Sequence, residues 1–318
     1  MNLRHLTFRL LEVYVAVVRA GNISEAARRL HLTQPTVSLQ LKRLNETVGE
    51  PLLVSHKGQL QMTDAGLALY NACQELLGRF QELNDTLSEL QLGHQGRLSI
   101  AMVNTAQYVL PKLLGPFSQS FPDVDITLEI GNRAQMLTRF NQQLDDIYIF
   151  SHPPSLEHAA AARFLRNPLV LIAPTHHPFH KRSQVSLKEL TQERFLLREP
   201  GSATRMLFDS WLRTQGIQLT KSMQIASNDA IRVAVEASMG VAVISQHVIP
   251  EGQKGIAILP VESLPIESHW HFIVRRDRRI SKTAKLFLTF VDAHLERYLE
   301  PDFACHEISA LLDEVIGF

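Results

Sequence analysis

Four leucines stand seven residues apart, at Leu69, Leu76, Leu83 and Leu90, with Cys73, Phe80 and Leu87 between them. Spacings of four and three alternate, the repeat of a helical seam that needs a partner surface along its length. The run opens at the helix-starting pair Thr63-Asp64 and meets no proline until after residue 100. A helix that long, apolar on one stripe only, divides the chain into a part before it and a part beyond it. It predicts a first unit at 1–62, a linker helix at 63–92 and a large second domain from residue 93. The seam Leu69, Leu76, Phe80, Leu83, Leu87 and Leu90 is expected to meet a second subunit; the C-terminal part of the same chain is the other candidate cover. Cys73 in this stripe is expected to serve as a small buried apolar residue rather than as a redox switch.

Upstream, Phe8, Leu11, Val15 and Val18 recur at helical spacing and predict a helix that stops at Gly21-Asn22. Ser24 is placed to cap a second helix, whose Ala26 and Ala27 allow close packing. After the His31-Leu32-Thr33 turn, Gln34 opens a third helix with Pro35 in its first turn, where the missing N–H costs little. Val37, Leu41, Leu44 and Val48 form its buried stripe. The opposite face carries Gln34, Thr36, Ser38, Gln40, Lys42 and Arg43, side chains able to read base edges and neutralise phosphates. Residues 52–62 read as two short strands around Lys57-Gly58, a wing. Taken singly, each polar residue fits an ordinary solvated face; together the pattern predicts a winged helix-turn-helix. The formal net charge is zero, yet residues 1–65 hold eight Lys/Arg against five Asp/Glu, leaving +3 there and −3 elsewhere. The basic surplus lies where phosphates would be met.

Residues 26–53, AARRLHLTQPTVSLQLKRLNETVGEPLL, followed by LQMTDAG at 60–66, resemble the DNA-binding domain of LysR-type transcriptional regulators. The resemblance continues through the rest of the chain. It implies double-stranded DNA with an inverted-repeat operator as a partner, and a chain that dimerises and pairs further into tetramers. It places Thr33, Gln34, Pro35, Thr36, Ser38, Leu39, Gln40, Lys42 and Arg43 on or beside the recognition helix, with Lys57 in the wing. Two positions depart from the family pattern. Leu39 stands where an arginine is common, and Leu53-Val54-Ser55 where Phe-x-Arg is common. Lys57 is then the substitute wing cation, and Leu39 a contact for a thymine methyl.

Gly93-His94-Gln95-Gly96 ends the long helix, and strands and helices alternate beyond it. Strands are expected near 98–103, 124–130, 145–150, 168–173, 223–225, 241–244 and 270–274. Helices are expected near 108–121, 134–142, 201–214, 229–238 and 282–295. The overall class is therefore α/β. The family resemblance implies a two-lobed, periplasmic-binding-protein-like effector domain at 93–298. Lobe I would comprise 96–165 and 268–298, and lobe II 166–267. Ligands in such folds sit at the carboxyl ends of strands. The candidate pocket residues are Asn104, Thr105, Asn132, Arg133, Phe150, Ser151, Ser202, Ala203, Thr204, Arg205, Ser227 and Asn228. Helix capping is the ordinary role of each Ser, Thr and Asn among them. Arg133, Arg205 and the helix start at 202 point to a small-molecule or inorganic anion, although either arginine is able to form an ion pair instead. The stretches 104–111, 129–133 and 198–202 look most like the carbon-fixation-regulator branch of the family, whose members respond to phosphorylated or anionic metabolites. Residues 299–318 read as a tail helix carrying Ile308, Leu311, Leu312 and Val315, with its docking surface left open.

No phosphate loop, dinucleotide fingerprint, nucleophile elbow or zincin motif occurs, so no enzyme, cofactor or metal is expected. His176, His177 and His180 share a loop and His269 and His271 alternate on a strand, but neither set is joined by cysteines or an acidic cluster. No apolar run nears the ~20 residues that span a bilayer, and no secretory leader is read. A cytoplasmic protein with Cys73 and Cys305 as free thiols is expected. The competing reading is a solute-binding protein whose N-terminal extension does not bind DNA.

Overall fold

The computed structural model describes residues 6–56, 59–92, 96–153 and 158–316. It divides into two units, Met1–Leu87 and Ser88–Phe318, each with its own core.

In the first unit α1 (Phe8–Ala20), α2 (Ile23–Arg29) and α3 (Gln34–Val48) meet around Val13, Val17, Ala26, Ala27 and Val37, all buried. Thr7 caps α1, accepting from the Leu10 amide at 3.4 Å. The cap of α2 is Asn22 rather than Ser24: its Oδ1 accepts from the Glu25 amide at 2.8 Å, starting the helix two residues early. Ser24 Oγ instead donates to Gln34 Oε1 at 3.2 Å, linking α2 to the start of α3. Strands β1 (Leu53–His56) and β2 (Gln59–Met62) pair antiparallel with His56 opposite Gln59, which fixes a two-residue connection. Lys57 and Gly58, which make that connection, lie outside the described residues.

Helix α4 (Asp64–Leu92) is tied down at its start. Thr63 Oγ1 donates to the Pro51 carbonyl at 2.7 Å and accepts from the Gly66 amide at 3.0 Å. The buried Tyr14 hydroxyl donates to the Gly66 carbonyl at 2.8 Å. Gly66 is required by close approach, since a Cβ there would lie 2.0 Å from the Leu52 carbonyl oxygen.

The second unit begins with β3 (Arg97–Val103), a short 3-10 turn (Asn104–Tyr108) and α5 (Leu110–Ser120). It continues through β4 (Asp125–Gly131), α6 (Arg133–Asn141), β5 (Ile147–Phe150) and β6 (Ala159–Arg166). The chain then crosses to a second lobe: β7 (Leu169–Pro174), β8 (Arg194–Leu197), α7 (Ala203–Gln215), β9 (Lys221–Gln224), α8 (Asn228–Glu236), β10 (Ala242–Ser245) and β11 (Ile256–Leu259). It returns as β12 (His269–Arg275), α9 (Lys282–Tyr298) and α10 (Ile308–Ile316).

The first lobe is a five-stranded sheet ordered β4-β3-β5-β12-β6, with β3, β4 and β5 parallel and β12 antiparallel to both its neighbours. The second lobe pairs β10-β7-β11 antiparallel and β8-β9 parallel, and Phe195 of β8 bridges to Val241 ahead of β10. The two crossing segments run side by side. The Asn167 amide donates to the Ser268 carbonyl at 2.7 Å, and Leu169 and Ile266 exchange both backbone bonds.

The tail docks on its own body. Ala304 bridges to Leu165 on β6, the Cys305 amide donates to the Phe164 carbonyl at 3.0 Å, and Ile308 and Leu311 are buried. Glu307 takes the Arg163 guanidinium and, at 2.9 Å, the Arg163 amide, so the tail occupies donors on the outer edge of β6.

Candidate nucleic-acid and ligand sites

Helix α3 presents the polar face that its spacing predicts. Thr33 caps it, accepting from the Thr36 amide at 3.3 Å, and their hydroxyls lie 2.8 Å apart. Gln34, Pro35, Ser38, Leu39, Lys42 and Arg43 are exposed; Thr36 and Gln40 are half-buried. Leu39 is 49% exposed, an apolar side chain held in solvent by a helix whose inward positions are filled by Val37, Leu41 and Leu44. The cations differ in availability. Glu25 engages both Arg28 and Arg29 at 2.9 Å, and this pairing holds its carboxyl down at about 2. Lys42 lies 4.0 Å from Glu46. Arg43 has no ion-pair partner among the described residues, and it lines an open groove with Thr7, Arg9, Leu10, Gln40, Glu46 and Thr47 between the start of α1 and α3.

Along α4 the seven-residue pattern splits. Leu69 is half-buried and Cys73 fully buried in the core of their own unit, beside Tyr14 and Leu44. Burial raises the Cys73 thiol to about 11, which suppresses thiolate chemistry. Leu76, Phe80 and Leu83 are 45%, 51% and 50% exposed. The unpaired stripe therefore starts one heptad later than the sequence pattern. The side chains of Leu87 and Leu90 lie outside the described residues.

In the second unit, strand ends and helix starts gather where the lobes face each other. Asn104 and the buried Thr105 form the turn after β3. Asn132 caps α6, with its side chain accepting from the Gln135 amide at 3.0 Å and its own amide donating to Gln135 Oε1 at 2.8 Å. Ser227 caps α8 in the same way, accepting from the Ala230 amide at 3.3 Å. These two side chains are therefore taken up by helix starts. Arg205 is also engaged: its Nε donates to Asp209 at 2.7 Å, one turn along α7, and its Nη1 points at the Arg198 carbonyl.

Arg133 is different. Its guanidinium lies 5.5 Å from the ring centroid of the buried Phe150, its Nη1 is buried without a hydrogen-bond partner, and no ion pair reaches it among the described residues. Burial pushes its pKa down, so a compensating anion would be favoured. Next to it, Ala134 Cβ is 4.0 Å from the Cβ position of Gly201 in the facing lobe. Gly201 has φ +91 and turns the chain into α7. At that turn Ser202, Ala203 and Thr204 are buried, and the Ser202 hydroxyl does not cap the helix. Ser151, buried after β5, gives its carbonyl to Ser268 Oγ at 3.1 Å, beside the lobe crossing.

One residue of this region is absent from the candidate pocket residues, although it opens the stretch 198–202. Arg198 is almost wholly buried, held by Glu199 at 2.8 and 3.0 Å and donating to Asn228 Oδ1 at 2.6 Å. The Tyr108 hydroxyl donates to Asp229 Oδ2 across the lobes at 2.8 Å; burial and this carboxylate push it up to about 12. The histidines offer no coordination set. Their rings at 269 and 271 are 6.5 Å apart, and no group of three or more His, Cys, Asp or Glu able to hold a metal occurs among the described residues.

Residues 8–67 match the model of the bacterial regulatory helix-turn-helix protein, lysR family, and residues 91–296 that of the LysR substrate binding domain. The chain is similar to the transcriptional activator CmpR of Synechocystis sp., with 36% identity across 92% of this chain and 97% of that protein. The regulator CbbR of Rhodospirillum rubrum is 34% identical, over 91% of this chain and 96% of its own length. Among solved structures, the CcmR regulatory domain of Synechocystis in complex with 2-PG superposes with a TM-score of 0.60 at 32% identity, covering 65% of this chain and 99% of that one.

Proposed function

This chain belongs to the LysR family of bacterial transcriptional regulators, and we propose that α3 reads an inverted-repeat operator while a small anion held between the lobes sets the outcome. The match of residues 8–67 to a DNA-binding family removes the reading as a solute-binding protein with an inert extension. Thr33, Gln34, Pro35, Thr36, Ser38, Leu39 and Gln40 face the base edges, and Lys42, Arg43 and Lys57 the phosphates. The exposed stripe from Leu76 to Leu83 joins two subunits, which pair into tetramers. Such a regulator works beside the chromosome, in the cytoplasm; no helix among the described residues is long and apolar enough to cross a membrane.

The observation that carries the effector reading is the buried, unpartnered Nη1 of Arg133. It lies on the helix start that meets the uncapped turn into α7. An anion there would satisfy the guanidinium and the first amides of α7 together. Thr105, Phe150, Ser151, Ser202, Ala203 and Thr204 shape the space around it. This chain's similarity to the 2-PG-bound CcmR domain supports a small anion as the ligand class.

The test uses the full chain. A panel of inorganic anions and phosphorylated carboxylates, including 2-PG, is screened by thermal shift. A ligand of the folded state at one hundred times its Kd stabilises by about 2.7 kcal/mol. Arg133→Ala should abolish the shift while operator binding in a gel-shift assay persists. Arg43→Ala should weaken operator binding and lower the salt slope by about 1 per subunit. Anion shifts unchanged by Arg133→Ala would sink the effector assignment, and an unchanged salt slope the phosphate contact.

A further inference from the structure

The second lobe, across from that of Arg133, holds an orphan donor of its own. Asn228 is only 3% exposed, and its Nδ2 is buried without a hydrogen-bond partner. The amide orientation is fixed by chemistry. The Arg198 guanidinium has only donors, so the atom 2.6 Å from its Nη1 must be the oxygen, and the nitrogen must point elsewhere. Leaving such a group buried and unpaired is costly, about 1–3 kcal/mol. Two places where the lobes approach each other flank the Arg198–Asn228 pair in the chain. At one end is Gly201 of the turn after Arg198, where an added Cβ would stand 4.0 Å from Ala134, the neighbour of Arg133. At the other, Asp229, the residue after Asn228, holds the Tyr108 hydroxyl. Glu199 neutralises Arg198, so this end of the cleft offers a neutral amide donor rather than a free cation.

We propose that the cleft selects a two-ended ligand, a small anion whose head group sits at Arg133 and the start of α7 and whose second acceptor, a carboxylate or carbonyl oxygen, takes the Nδ2 hydrogens of Asn228. The proposal rests on the anion reading above and adds the ligand class. A single-headed anion satisfies one lobe only. A ligand carrying both ends satisfies a donor on each lobe and gains affinity by drawing them together.

The experiment measures calorimetric affinities of the full chain for inorganic phosphate and for 2-PG and 3-phosphoglycerate as phosphorylated carboxylates. The unmodified protein should bind at least one of the two-ended probes more than tenfold tighter than inorganic phosphate. Asn228→Asp keeps the oxygen that Arg198 needs, suits the first turn of α8 and replaces the donor by an acceptor. It should bring that ratio down to about one while inorganic phosphate affinity changes less than twofold. Asn228→Ala serves as the second variant, and thermal midpoints check that both are folded. A tenfold preference that survives both substitutions overturns the proposal and leaves the anion reading standing. So does equal binding of single-headed and two-ended probes by the unmodified chain. If none of these probes binds and Arg133→Ala changes nothing, the anion reading falls and the two-ended ligand falls with it.

Discussion

At the residue scale, equal chemistry has unequal consequences because of where neighbours stand. Arg133 and Arg205 both open helices, and in the sequence both point to an anion. Asp209, four residues after Arg205, takes its guanidinium at 2.7 Å, an i,i+4 pairing that sequence spacing already allows. Arg133 has no such neighbour and keeps an unsatisfied nitrogen. The pairing of Arg198 with Asn228 is invisible in the sequence because the two stand thirty positions apart and meet only through tertiary folding. His271 supplies a pH prediction. Burial pushes its pKa from 6.5 down to about 4. Between those values the unfolded chain binds the extra proton, so stability declines as pH falls through this window, by at most about 3 kcal/mol once below it. Urea-unfolding midpoints from pH 7 to pH 4 should drop, and His271→Gln should flatten part of that drop. A parallel curve for the variant would show that the group does not contribute.

At the element scale, the legible part of the fold is the local part. The first unit follows its caps, its turn residues and its 3.6-residue periodicity, so α1, α2, α3 and the wing stand where the sequence puts them, with α2 shifted only because Asn22 outcompetes Ser24 for the cap. In the second unit the expected strand at 145–150 and helix at 134–142 appear as β5 and α6. Strands β6, β8 and β11 have no counterpart among the expected elements. The run Ala159–Ala162 has no alternation to read, and β8 and β11 are four residues each, placed by sheet neighbours rather than by pattern. The docking of the tail is unreadable for the same reason, since its partners Phe164 and Leu165 lie about 140 positions away. Helix α4 offers a paired test. Gly66→Ala drives a Cβ into the Leu52 carbonyl and should cost about 1–3 kcal/mol and weaken operator binding. Gly78→Ala, in the same helix with nothing within 4 Å of the new Cβ, should stabilise by about 0.5–1 kcal/mol. Denaturant titration of both variants decides it; equal effects would mean that α4 is not clamped at its start.

At the scale of the whole molecule, the exposed stripe of α4 is expected to make the regulator a dimer. Phe80, half exposed with its ring edge-on to Phe8 at a centroid distance of 4.5 Å, is the side chain to change. Phe80→Asp should shift sedimentation at micromolar concentration from dimer to monomer and reduce operator affinity more than tenfold; a variant that still sediments as a dimer would move the interface elsewhere. The lobes of the second unit are joined covalently by only two segments, at 166–168 and 266–268, and these are cross-bonded to each other. Mechanically that is a strip rather than a pair of strings. A strip bends out of its own plane more readily than it shears sideways, because shear would tear the bonds between its two strands. A ligand that fills the cleft is therefore expected to act on the opening between the lobes rather than on a sideways slide of one past the other.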